Sequence, residues 1–115
     1  MDKDKEIKKE LNKLNKIFKN IDDDRKKIVE NLIKNAAFMA VTLQELQEYI
    51  AEHGCTEEYQ NGANQFGKKK SSEVEVYNSM IKNYSTIIKQ LLDLAGDVGK
   101  EDKDDLMEFL SRGRK

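Results

Sequence analysis

Apolar residues recur with alternating spacings of three and four along three separate segments, and this spacing constrains the fold more than any other feature. In an α-helix, residues three and four apart share one face, whereas a half-buried strand alternates at every second position. The regular spacing is typical of long helices that lie side by side at shallow crossing angles. We therefore predict an all-α fold, a bundle of long antiparallel helices. The three stripes are Ile7, Leu11, Leu14, Phe18 and Ile21; Val29, Leu32, Ala36, Met39, Leu43, Leu46 and Ile50; and Val74, Tyr77, Ile81, Tyr84, Ile88, Leu91 and Ala95.

Polar residues and glycines mark the ends of the second helix. Asn20 or Asp22 can cap its first turn, because both side chains accept hydrogen bonds from free backbone N–H groups. The acidic run that begins at Asp22 also suits the positive end of the helix dipole. His53 and Gly54 can end the helix, since glycine adopts positive φ without steric cost.

A polar, glycine-rich segment separates the second and third helices. Residues 54–72 are predicted to form a loop or a short hairpin insertion, with Asn61-Gly62 as a favourable tight turn. Ser71 or Ser72 is suited to cap the third helix.

Two further glycines, Gly96 and Gly99, form a predicted hinge near the C-terminus. They divide a helical bundle domain at residues 1–95 from a tail at residues 96–115. The tail is predicted to carry a helix whose apolar residues fit the docking of a partner protein. These residues are Leu106, Met107, Phe109 and Leu110.

The second and third helices carry more apolar side chains than a single partner helix can cover. Either each helix contacts two neighbours within one bundle, or one stripe is an interface between protomers. The middle of the second helix is predicted to be buried on all sides. A charged fraction of 37% exceeds the usual value of about 25%, which fits long, narrow helices or a core completed by other copies. The candidate interface residues are Phe38, Val41, Met80, Ile87 and Leu94.

Charge is distributed in bands, although the net charge is only −1. Residues 1–34 hold eleven Lys and Arg against eight Asp and Glu, while residues 44–58 hold five Glu and no basic residue. Consecutive lysines beside a flexible turn either meet phosphates or keep a loop soluble. Tyr59 and Phe66 flank this turn and either stack on bases or pin the loop to the bundle. The candidate DNA-binding residues are Lys68, Lys69 and Lys70, followed by Lys5, Lys8 and Lys9.

The residue inventory argues against catalysis and against a cofactor or metal. The chain has one histidine and one cysteine, His53 and Cys55, and they cannot supply the four ligands of a zinc site. It has neither a nucleophile elbow nor a phosphate-binding glycine loop. No apolar run approaches the length of a membrane span, and the first residues are too charged for a signal peptide. We expect a soluble, cytoplasmic protein that is not an enzyme.

The segments YQNG, QFG, KKSSEVEVYNSMIKNY and IIKQLLDL resemble one branch of the small terminase subunits of tailed bacteriophages and prophages. The resemblance covers roughly residues 25–95 and is most specific from Tyr59 to Leu94. The family often has proline after the motif serine, where this chain has Ser72, and a serine there still permits a helix to begin. The motif positions are occupied by Asn61, Gly62, Gly67, Ser71, Tyr77, Tyr84, Leu91 and Leu94.

The resemblance implies a function that the residues alone do not give. Small terminase subunits assemble as rings, recognise packaging-initiation regions of viral DNA, and modulate a large subunit that holds the ATPase and nuclease. The hypothesis is therefore a homo-oligomeric, DNA-binding accessory of genome packaging in the host cytoplasm, whose tail contacts the large subunit. The alternative is a helical adaptor or structural phage protein that binds only other proteins.

Overall fold

The part of the chain that the structure describes is mostly helical, with one small two-stranded antiparallel sheet. The computed structural model describes residues 2–60, 62, 63, 65–94 and 108. The helical prediction is confirmed, but the sheet means that the fold is not a pure helical bundle. The predicted docking residues Leu106, Met107, Phe109 and Leu110 lie outside the described residues. In chain order the elements are α1 (Lys3–Ile17), α2 (Asp23–His53), β1 (Thr56–Gln60), β2 (Phe66–Lys70) and α3 (Ser72–Leu94).

Local hydrogen bonds explain where α2 begins and ends. The Asp22 side chain accepts from the backbone N–H of Arg25 at 3.1 Å, which makes Asp22 the cap and not Asn20. At the other end, the N–H of Gly54 donates to the carbonyl of Ile50 at 2.7 Å. Gly54 has φ +83°, as its predicted role at the helix end requires.

The central helix is α2, and both other helices pack antiparallel against it. Lys3, at the start of α1, forms an ion pair of 3.0 Å with Glu45, far along α2. The amide of Gln47 near the end of α2 donates to the Tyr77 hydroxyl near the start of α3 at 3.1 Å. These two contacts fix the direction of each outer helix relative to α2.

One hydrophobic core joins the three helices. Most of its members belong to the predicted stripes, and Ile17 and Ile33 are the additions. The expected burial around the middle of α2 holds for Ile33, Ala37 and Val41, whereas Phe38 remains 45% exposed. The core comprises Leu14, Ile17, Phe18, Ile21, Val29, Ile33, Ala36, Leu43, Tyr84, Ile88 and Leu91. Among the described residues, no helix is both long enough and apolar enough to cross a membrane.

Candidate nucleic-acid interface

The segment between α2 and α3 is a β-hairpin. Strand β1 pairs with β2 in continuous register, from Thr56 opposite Lys70 to Gln60 opposite Phe66. One further backbone hydrogen bond, from the N–H of Ser71 to the carbonyl of the exposed Cys55 (2.9 Å), extends the pairing to the base. The Ser71 hydroxyl also accepts from the N–H of Val74 at 3.2 Å, so Ser71 caps α3.

The three consecutive lysines lie on strand β2, opposite the acidic strand β1. Lys69 is opposite Glu57 and forms an ion pair with it at 3.5 Å. Lys68 is opposite Glu58. These carboxylates reduce the cationic field of the hairpin below that of three isolated lysines. The site is therefore a ribbon with one basic and one acidic strand, and not a purely basic loop.

The two aromatic residues of the hairpin have different environments. The Tyr59 ring lies against Gly67 on the opposite strand, and a Cβ atom at residue 67 would be 2.8 Å from the Tyr59 hydroxyl oxygen. Glycine therefore provides the space in which the tyrosine ring packs. Phe66 is 73% exposed, so its ring is available for an external contact. Tyr59 thus packs across the hairpin. This arrangement differs from both predicted alternatives, which were stacking on bases and packing of the loop against the bundle.

A cluster at the base of the hairpin links it to α2 and α3. The rings of Tyr49 and His53 stack with centroids 4.0 Å apart. The negative charge of Glu73 raises the pKa of Tyr49, and partial burial, a hydrogen bond to Glu73 and the charge of Glu57 act in the same direction. These groups come from α2, α3 and β1, and the Ser72 hydroxyl of α3 also donates to the Glu57 carboxylate at 3.4 Å, so the base of the hairpin contacts the start of α3.

The outward side of α1 carries a second cationic surface, which we call the basic face of α1. All of its members are exposed, and none is acidic. Those on α1 fall within one sector of a helix with 3.6 residues per turn, on the side away from Leu11 and Leu14, and Lys19 lies in the turn after the helix. Lys5, Lys8 and Lys9 are the predicted DNA-binding candidates among them, and a helical projection groups the other members with these three. The face comprises Lys5, Lys8, Lys9, Asn12, Asn15, Lys16 and Lys19.

The glutamates of α1 lie at the borders of this face. Glu6 pairs with Lys9 at 3.6 Å, and Glu10 pairs with Lys13 at 3.1 Å. Both glutamates are half-buried. Within the described part of the chain, no carboxylate lies within ion-pair distance of Lys5 or Lys8. The charges at these two positions are therefore directed to solvent.

The candidate interface residues on α2 and α3 differ in accessibility. Phe38 is exposed, and the Lys3 ammonium lies 4.7 Å from the centroid of its ring. Val41 is only 3% exposed, so the fold of the single chain already covers its side chain. Met80, Ile87 and Leu94 are partly buried against the core. Of the five candidates, Phe38 is the one that presents most surface to another protomer.

Comparisons with known proteins identified no relative. A scan of protein-family models, a search of curated proteins and a search of solved structures each found no match to this chain. Among the described residues, no group of three or more His, Cys, Asp or Glu side chains is placed to hold a metal ion.

Proposed function

We propose that this chain is a small terminase subunit, a self-assembling accessory that binds double-stranded viral DNA and regulates the ATPase and nuclease of the large subunit. The observation that carries DNA binding is the basic face of α1, which groups four exposed lysines of the helix with Lys19 of the following turn and has the exposed Asp4 at its border. The proposed role in genome packaging comes from the resemblance to small terminase subunits, at motif positions such as Gly67 and Tyr84. The tail at residues 96–115 is the proposed contact with the large subunit.

The basic face of α1 suits contacts with phosphates more than with bases. At about 1.5 Å per helical residue, Lys5 and Lys16 are separated by roughly 16 Å along the helix axis. Phosphates of one DNA strand are spaced about 3.4 Å apart along the duplex axis, so the face spans several of them. Lysine and asparagine side chains both donate hydrogen bonds to phosphate oxygens. We expect binding that varies strongly with salt and weakly with base sequence.

Self-assembly would compensate for the weakness of each site. The whole chain carries a net charge of −1, so a single copy has no strong overall attraction to DNA. When several copies present the same face to one duplex, each further contact becomes intramolecular and overall affinity rises steeply. The proposal therefore requires both the basic face of α1 and an interface between copies.

The test is the salt dependence of DNA binding in matched double variants. Lys5→Gln with Lys8→Gln removes two unpaired charges of the basic face and keeps helix-favouring side chains. We expect the slope of log affinity against log salt concentration to become shallower by about 1–2, since each lost phosphate contact contributes about 0.9. Fluorescence anisotropy on a labelled duplex measures this slope.

The control is Lys82→Gln with Lys89→Gln, which removes the same charge from exposed positions on α3. This variant should keep the wild-type slope. Equal slopes in both double variants would exclude a role for the basic face of α1. If the wild type shows no salt-sensitive binding at all, the protein-binding adaptor becomes the better hypothesis.

A further inference from the structure

The hairpin has two open strand edges whose backbone groups can be identified from its register. In an antiparallel pair, directly opposed residues alternate between those bonded to each other and those whose N–H and C=O groups point outward. The bond from Ser71 to Cys55 places the residue pairs 55–71, 57–69 and 59–67 in the bonded class. The outward groups therefore belong to even-numbered residues, which are Thr56, Glu58 and Gln60 on β1 and Phe66, Lys68 and Lys70 on β2.

Neither edge is covered within the described part of the chain. The side chains of all six of these residues are exposed. Neither strand packs extensively against a helix, because the main contacts of each strand are with the other strand. Open edges with free N–H and C=O groups are templates for pairing with another strand.

The charges of the two edges determine which strand can pair there. Strand β1 carries Glu57 and Glu58, and β2 carries Lys68, Lys69 and Lys70. Pairing two β1 edges would bring four carboxylates together, and pairing two β2 edges would bring six ammonium groups together. Like charges on adjacent strands are destabilising, whereas opposite charges are favourable. Only the combination of β1 with β2 is electrostatically complementary.

We propose that the β1 edge of one protomer pairs with the β2 edge of a second copy of this chain, so that the hairpins form a continuous antiparallel sheet between subunits. With the hairpins side by side, Glu58 of one copy lies next to the lysines of β2 in its neighbour. The contact is head-to-tail, and such contacts close into rings when the rotation between copies permits. This inference rests on the self-assembly in the proposed function and assigns the interface that it requires.

The test exchanges the charge of one edge at a time and measures mass by light scattering. At the outward positions, Glu58→Lys leaves only basic charged side chains on both edges, and Lys68→Glu with Lys70→Glu leaves only acidic ones. Each variant alone should fall from the assembled mass to that of a monomer, because every edge then faces an edge of its own sign. An equal mixture of the two variants should regain an assembled mass, since each edge again finds a complementary partner.

A third variant separates edge pairing from damage to the hairpin. Glu58→Lys combined with Lys68→Glu and Lys70→Glu keeps an opposite-charge pair between residues 58 and 68, and at the outward positions it leaves one basic and one acidic edge. It should assemble as the wild type does. Loss of assembly in this variant, or failure of the mixture to assemble, would overturn the inference, as would a monomeric wild type.

DNA binding measured in the same series distinguishes this inference from the proposed function. If the charge variants keep both the wild-type mass and DNA binding, the interface lies elsewhere and the proposed function stands. If the masses follow the expected pattern while the wild type binds no DNA at low salt, the edge pairing stands and DNA packaging does not. If the hairpin variants keep the wild-type mass but lose DNA affinity, the lysines of β2 serve DNA, and the edge pairing is overturned.

Discussion

Single residues determine how firmly the hairpin is held. Gly67 has almost no space for a Cβ atom because the Tyr59 ring lies directly over it. At the hairpin base, the Ser72 hydroxyl of α3 donates to the Glu57 carboxylate of β1, and the charge of Glu73 raises the pKa of Tyr49 on α2. The sequence showed a glycine and two tyrosines, but not these contacts, because they depend on a strand register and on the meeting of three elements.

Gly67→Ala should weaken the hairpin by about 1 kcal/mol, the upper end of the range for one cross-strand pair, because the Tyr59 ring must move from its position. Amide hydrogen exchange should show faster exchange for the inward N–H groups of the strands and no change in α2. In a Tyr59→Ala background the same glycine substitution should have little effect, since the obstruction is then absent. A similar loss in both backgrounds would exclude the ring contact as the cause.

Glu73→Gln should lower the pKa of Tyr49, since the charge of Glu73 is the largest cause of its upward shift. The unperturbed value is about 10. Because the folded pKa is raised, the contribution of this phenol to stability is complete below pH about 10 and is lost as the pH rises further. Tyrosinate absorbance titration measures the shift, with Tyr49→Phe identifying the step. Glu75→Gln, on the same first turn, should leave it unchanged.

Whole elements follow the sequence more closely than residues do. The three-four spacing predicted α1, α2 and α3, and the caps at Asp22 and Ser71 were each one of two alternatives. For residues 54–72 the sequence does not distinguish a loop from a hairpin, because the strands are short, polar and mostly exposed. The basic strand opposite the acidic strand could not be predicted, because pairing depends on the register set by the turn.

Ser71→Ala should destabilise α3, because the N–H of Val74 loses the hydroxyl that accepts its hydrogen bond. The expected cost is about 1 kcal/mol in the free energy of unfolding, measured by denaturant titration followed by circular dichroism. Ser72→Ala is the matched control, since Ser72 is exposed and its hydroxyl contacts Glu57 at 3.4 Å instead of the helix backbone. Equal losses would mean that the cap is shared between the two serines.

The whole molecule is elongated. Its radius of gyration is 17.8 Å, against about 13 Å for a compact domain of this length, and its principal extents are 62 × 25 × 21 Å. A narrow shape leaves a large surface relative to the core, in keeping with the 37% charged residues. The sequence indicated this narrowness through composition, but it did not distinguish surface side chains such as Phe38 from buried ones such as Val41, because both lie off the main stripe.

At this scale we expect the wild-type protein to assemble. Light scattering on a sizing column should give a single species several-fold heavier than the 13.3 kDa protomer. Phe38→Ala should reduce the assembled fraction if this exposed ring contacts a neighbour, without unfolding the chain. A wild-type species of 13.3 kDa at every concentration would instead mean that each helix completes its contacts within one chain.

The central position of α2 also sets an order of folding during synthesis. The first two helices are joined by residues 18–22 alone, so α1 can pack on α2 once residue 53 has left the ribosome. Helix α3 returns to α2 only across residues 54–71, and closing this longer loop costs more chain entropy. Until then, the α3-facing side of α2 is uncovered. A nascent chain halted before residue 72 would therefore be the species most in need of a chaperone.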